Sequence, residues 1–150
     1  MSEEDVELVV RLLPAPGQDL VQLFHDDDVW AAFTVAVAPF FHPDFESVAG
    51  GMPDEETTYI GLDGLRAGWR DWTAPWAAYR TEIDEAIDLG GGRVFVLFHD
   101  FARLKNTTEE LNQTPANIWT VRDGKIARAE FYPDWRDAPE QALEAAGLTE

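Results

Sequence analysis

The sequence predicts an α+β fold in which a strongly curved antiparallel sheet carries N-terminal helices on its concave face. Three observations lead there. Apolar residues in the first half recur with helical spacing, the rhythm changes to period two from Tyr79 onward, and glycine-bearing turns divide the second half into a meander. Helices followed by a run of strands is the order of a two-layer α+β domain. A chain of 150 residues is one domain's worth, so residues 1–150 are read as a single unit, and with no cysteine it has neither disulfides nor thiol chemistry.

Ser2, with Asp5 three residues on, opens the first helix; Val6, Val9, Val10 and Leu13 form its apolar face, and Pro14 and Pro16 stop it. Its shortness predicts a peripheral position. Asp19, or the run Asp26-Asp27-Asp28, caps the second helix, in which Val29, Trp30, Phe33, Val37 and Phe40 make a strongly apolar stretch ending near Pro39 to Pro43. Asp44 to Val48 alternates as a short strand, and Ala49 to Thr58 reads as an exposed loop. Gly61 to Ala77 then carries Leu62, Leu65, Trp69, Trp72 and Trp76 in 3/4 spacing, which places three indoles on one narrow helix face. Something large and apolar must lie opposite, either packed core or the wall of a cavity. Trp72 and Trp76 are expected to pack, and Trp69 to reach the cavity.

Tyr79, Thr81, Ile83 and Ile87 face one way along the next strand while Arg80, Glu82, Asp84 and Asp88 face the other. Gly90-Gly91-Gly92 turns the chain into a long strand from Arg93 to Lys105, apolar on both faces in its first half and therefore covered on both sides. Asn106 to Glu110 is a turn. Asn112 to Val121 and Lys125 to Tyr132 form a hairpin, and Pro139 to Ala146 a C-terminal helix that Gly147 closes. A two-residue Asp123-Gly124 turn would put Trp119 on the face of Arg128 and Glu130. A three-residue loop shifts the pairing by one, so that Asn117, Trp119 and Val121 share a face with Ala127, Ala129 and Phe131. The second arrangement separates polar from apolar cleanly and is the one predicted, leaving Asn117 as the only polar side chain of the inner set.

Charge and composition remove several functions. A formal charge of -18, from 29 acidic against 11 basic residues, repels phosphate backbones and anionic lipid, so neither nucleic acid nor a membrane surface is an expected partner. No apolar run approaches the roughly 18 residues a membrane span needs. The acidic start, Met1 to Asp5, lacks a signal peptide's basic region and apolar core, and cytoplasmic residence is expected. Ser2 and Ser47 lie in no nucleophile elbow, Gly90-Gly91-Gly92 precedes no helix that could cradle phosphate, and His25, His42 and His99 have no metal-ligand spacing. No metal and no cofactor are expected.

Taken in order, Tyr59-Ile60-Gly61-Leu62-Asp63-Gly64-Leu65, Trp69-Arg70-Asp71-Trp72, Tyr79 to Gly90, Trp119-Thr120-Val121-Arg122-Asp123-Gly124-Lys125-Ile126 and the ending Ala142 to Leu148 resemble the SnoaL-like, nuclear transport factor 2-like superfamily. The resemblance runs from about Asp19 to the end. It implies a cystatin-like α+β cone with a pocket between the bent sheet and its helices, and a homodimer through the convex sheet face. Its activities span isomerases, dehydratases, polyketide cyclases, epoxide hydrolases and non-catalytic binding or assembly modules. Where ketosteroid isomerases place an inward carboxylic acid that donates to an oxyanion, this chain has Asn117, whose amide also donates. Where limonene epoxide hydrolases place an inward aspartate on the last strand, it has Phe131.

A pocket enzyme acting on an uncharged substrate needs a base with its pKa brought toward neutrality, and a donor for the oxygen that gains charge. Asp100, His99 and Glu85 are the candidate acid/base residues. His99 and Asp100 are adjacent on a strand, so alternation sends one inward; Glu85 either interrupts the apolar face of its strand or is turned out by a bulge. Trp69, Asn117, Trp119, Phe131, Tyr59 and Trp72 are the candidate ligand-binding residues, a wall of aromatic rings with few polar groups. The expected function is binding of a small apolar organic molecule, with isomerisation, dehydration or cyclisation by cofactor-free proton transfer as the chemistry. A dimeric assembly module without chemistry and an epoxide-hydrolase-like enzyme are the alternatives.

Overall fold

The computed structural model of the chain describes residues 2–15, 17–49 and 57–148. Helix α1 (Ser2–Leu12), α2 (Leu20–His25) and α3 (Asp27–Val37) precede β1 (Phe41–Ala49), β2 (Thr57–Ile60) and α4 (Gly61–Thr73). The remainder is β3 (Trp76–Gly90), β4 (Arg93–Leu104), β5 (Glu110–Gln113), β6 (Ala116–Arg122), β7 (Lys125–Tyr132) and α5 (Glu140–Ala145). One sheet takes the order β2-β1-β7-β6-β4-β3, with β5 paired to the free part of β4. The α+β class holds, with a refinement: β1 pairs with β7 in parallel, so the sheet is mixed. Sequence reading counted only turn-linked neighbours; β1 and β7 are far apart in the chain, and a long connection leaves their direction free. Among the described residues no helix is long and apolar enough to cross a membrane.

Both aspartate caps weighed in the sequence are used, because the expected single helix is two. Asp19 accepts from the Val21 N–H at 3.0 Å and starts α2; Asp26 accepts from Asp28 and Val29 and starts α3. Asp19 also accepts from the Tyr79 backbone N–H at 3.2 Å, so one carboxylate ties the helical layer to the sheet. The first helix is not peripheral: Leu8 and Val9 are buried in the main core with Val37, Phe45 and Leu65. The loop read over Ala49 to Thr58 contains the start of β2, and residues 50–56 lie outside the described part.

The tryptophan helix is shorter than its spacing suggested. Pro75 brings no N–H to continue the helical ladder beyond Ala74, and Thr73 donates its hydroxyl to the Trp69 carbonyl at 2.6 Å in the last turn. Trp76 therefore starts β3, where it is buried beside Tyr79. Trp72, expected to pack, is 39% exposed.

Two one-residue irregularities set which side chains face the helices. In β3 the pairing jumps from Ile83↔Phe98 to Glu85↔Leu97, leaving Asp84 as an extra residue. Ile83 and Ala86 consequently pack in the main core, whereas Ile87, expected beside Ile83, turns to the opposite face and meets the α5 cluster of Phe95, Ile118 and Ala142. In the last hairpin Arg122 pairs with Lys125 across a two-residue Asp123-Gly124 turn, both residues with positive φ, so the predicted three-residue loop does not form. A bulge at Ala127 supplies the same one-residue shift. Asn117 lies opposite Phe131 and Trp119 opposite Ala129, as the apolar pattern required.

Replacing Asp19 by alanine removes the α2 cap and the tie to Tyr79 together. Urea melts of Asp19→Ala should show a loss of about 1–2 kcal/mol with an unchanged slope; an unaltered midpoint would mean that the cap carries no stability.

Candidate functional site

Alternation along β4 resolves the His99/Asp100 pair. Phe98, Asp100 and Ala102 point to the helices, while His99 and Phe101 point away, their rings stacked at 4.7 Å and His99 Nε2 placed 3.1 Å from Asn112 Oδ1. Glu85, next to the β3 bulge, is exposed. Neither His99 nor Glu85 borders the interior cavity, so among the three candidate acids and bases only Asp100 can act there.

Register supplies Asp100 with its partners. Thr81 is its direct neighbour on β3 and Gln113 its neighbour on β5, with Tyr79 two residues along β3 on the same face. Thr81 Oγ1 donates to one carboxylate oxygen and the Tyr79 hydroxyl to the other; Gln113 Oε1 lies 3.4 Å from that hydroxyl. Asp100 is 3% exposed, and no basic side chain of the described residues pairs with it. Burial pushes its pKa above the ordinary carboxylate range, against the smaller opposing effects of the two hydroxyl hydrogen bonds and of the nearby His99. The Tyr79 phenol is raised too, first by burial and then by the Asp100 charge, so it stays a donor throughout the physiological range.

A cavity of about 380 Å³ lies between the sheet and the helices, bordered by all six residues read from the sequence as ligand contacts: Tyr59, Trp69, Trp72, Asn117, Trp119 and Phe131. Trp69 is its central pillar. The indole stacks on Phe24 of α2 at 5.4 Å and meets Tyr79 and Phe131 edge-on at 6.1 and 5.6 Å, so a single side chain joins α4 to α2, β3 and β7. Tyr59 owes its place to missing atoms: a Cβ at Gly68 would come within 3.0 Å of its ring. Ser47, Ala129 and Trp119 form one row across β1, β7 and β6, and Ser47 Oγ and Trp119 Nε1 are buried without a hydrogen-bond partner among the described residues.

Sequence reading missed Tyr79, Thr81 and Gln113 as polar members of the site, although the inward alternation of the first two was legible. It missed Phe24 because α2 was not separated from α3. Histidine is used structurally elsewhere: His25 bonds Thr73 Oγ1 at 2.8 Å and His42 the Arg122 carbonyl at 2.7 Å. Among the described residues no group of three or more histidines and acids is placed to hold a metal.

The profile of the SnoaL-like domain family matches residues 18–129. A SnoaL-like protein from Jannaschia sp. CCS1, provisionally assigned as a polyketide cyclase, superposes with a TM-score of 0.65 at 15% identity, over 99% of this chain and 94% of that one. TerC, co-crystallised with polyporic acid, gives 0.60 at 21% identity over 87% and 92%. A protein of ketosteroid isomerase-like fold from Catenulispora acidiphila DSM 44928, in complex with trimethylamine, gives 0.55 at 15% over 86% and 89%. At these identities the likeness is one of fold. No curated protein matches the chain significantly.

A raised folded-state pKa means that folding favours neutral Asp100. Its stabilisation is full below the unfolded pKa and is lost as pH rises through the folded one. Asp100→Asn, neutral at every pH, should therefore gain stability relative to the parent between about pH 4 and 7.5 in paired urea melts. A difference that stays constant or shrinks contradicts the burial argument.

Proposed function

We propose a function from one premise: the chain belongs to the SnoaL-like domain family. The protein binds a small, mainly apolar organic molecule in the aromatic cavity and moves a proton on it with Asp100, without a cofactor. One observation carries this reading. The cavity wall holds a buried carboxyl that accepts from two hydroxyl donors, in surroundings that raise its pKa above the ordinary carboxylate range, the direction a general acid or base requires.

Asn117 extends the reading. It lies opposite Val96, four residues along β4 from Asp100, so the two backbones are about 13 Å apart along the strand and the inward side chains span less. A ligand touching both has the span of two or three fused rings. Asn117 would donate to the oxygen that gains charge while Asp100 exchanges the proton, the division of labour needed for isomerisation, dehydration or cyclisation. The unpartnered Ser47 Oγ and Trp119 Nε1 favour a ligand with a polar atom at that end as well. Structures of this fold with polyporic acid or trimethylamine bound support a small-molecule role.

Titrating a panel of apolar carbonyl compounds should change the tryptophan fluorescence, and Asn117→Ala should weaken binding about 3- to 10-fold, the worth of one hydrogen bond. With a compound that binds, proton NMR in deuterated water should show exchange next to the carbonyl. Asp100→Asn should slow that exchange by about a hundredfold or more while binding persists. Binding without exchange in the parent protein would leave a non-catalytic binding module.

A further inference from the structure

The charges bordering the cavity are of one sign. Asp100 lies inside, Asp71 and the half-exposed Trp72 stand where α4 meets solvent, and among the described residues no lysine, arginine or histidine lines the wall. A cleft with low-dielectric walls focuses the field of the molecule around it, and this molecule carries a formal charge of -18. An anionic ligand is opposed at every stage of entry. Buried carboxylates are ordinarily matched by a cation; Asp100 has hydroxyl donors and no ion-pair partner among the described residues.

The rings next to Asp100 suit a cation. Tyr79, bonded to Asp100 through its hydroxyl, is met edge-on by Trp69 at 6.1 Å, and Trp72 borders the same cavity. Aromatic faces attract ammonium groups through their quadrupole, tryptophan most strongly, and more so when water is excluded. Arg66, which does not line the cavity, is held by Asp27 at 2.7 Å and by the Phe24 carbonyl at 2.9 Å.

We infer that the ligand is an apolar molecule bearing a positively charged nitrogen, a substituted ammonium seated between Asp100 and the Trp69 and Trp72 rings. This narrows the proposed function and rests on its reading of the cavity as a ligand site. The cation completes the ion pair that the protein leaves open and holds Asp100 in its ionised form, the form able to accept a proton.

The test is isothermal titration of the intact protein with benzyltrimethylammonium and with neopentylbenzene, its neutral isostere of the same shape. The cation should bind at least about tenfold more tightly, and Asp100→Asn, checked for native circular dichroism, should bring the two affinities together. Equal affinities for the parent, or tighter binding of the neutral compound, would overturn the charge inference and leave the apolar site intact. A cation preference that survives Asp100→Asn would overturn the assignment to Asp100. If neither compound binds, the ligand-site reading itself fails, and this inference with it.

Discussion

The structure depends on where period-two alternation is interrupted. A regular β3 would carry Tyr79, Thr81, Ile83 and Ile87 on one face; with Asp84 inserted, the first three stay with the helices and Ile87 crosses to α5. A regular hairpin at Asp123-Gly124 would send Asn117 and Trp119 to the side of Arg128 and Glu130; with Ala127 inserted, they join Ala129 and Phe131. Each bulge costs a ladder position and adds bend. Together they let one sheet present polar contacts at two places on its concave side and the apolar cluster of Phe95, Ala116, Ile118 and Ile87 to α5 on the other.

The polar atoms are then distributed by register alone. Asp100, Thr81 and Gln113 meet because β3, β4 and β5 align them, and Tyr79 reaches the same carboxyl from two residues away. The helices contribute rings: Phe24 and Trp69 close the cavity over that cluster without a compensating charge. The result is a carboxyl whose neutral form is favoured by its surroundings and whose ionised form is supported by two hydroxyl donors.

Much of this was legible in the sequence, for identifiable reasons. The change of rhythm at Tyr79 gave the α+β order, and segregation of Arg128 and Glu130 from Ala129 and Phe131 gave the correct hairpin faces even though the turn itself differs from the expected one. Among the wall residues, Asn117, Trp119 and Phe131 come from the hairpin faces, and Trp69 and Trp72 from the 3/4 spacing of the preceding helix. What failed was local. The α2/α3 break is marked only by Asp26, which also suits a helix's first turn; β5 is four residues long and polar; and the β3 bulge has no glycine to announce it. Parallel pairing of β1 with β7 could not be read from neighbouring turns. Trp76 kept helical spacing by coincidence, since Pro75 had already ended the helix.

The central claim is that Asp100 is a buried carboxyl with its pKa raised by an apolar cavity. Carbon-13 NMR of protein labelled at aspartate carboxyls, with the Asp100 signal assigned by its loss in Asp100→Asn, measures this directly. The account predicts that this carboxyl titrates clearly above the exposed aspartates of the same chain and moves downward when a cationic ligand binds. Titration together with the exposed aspartates would contradict it.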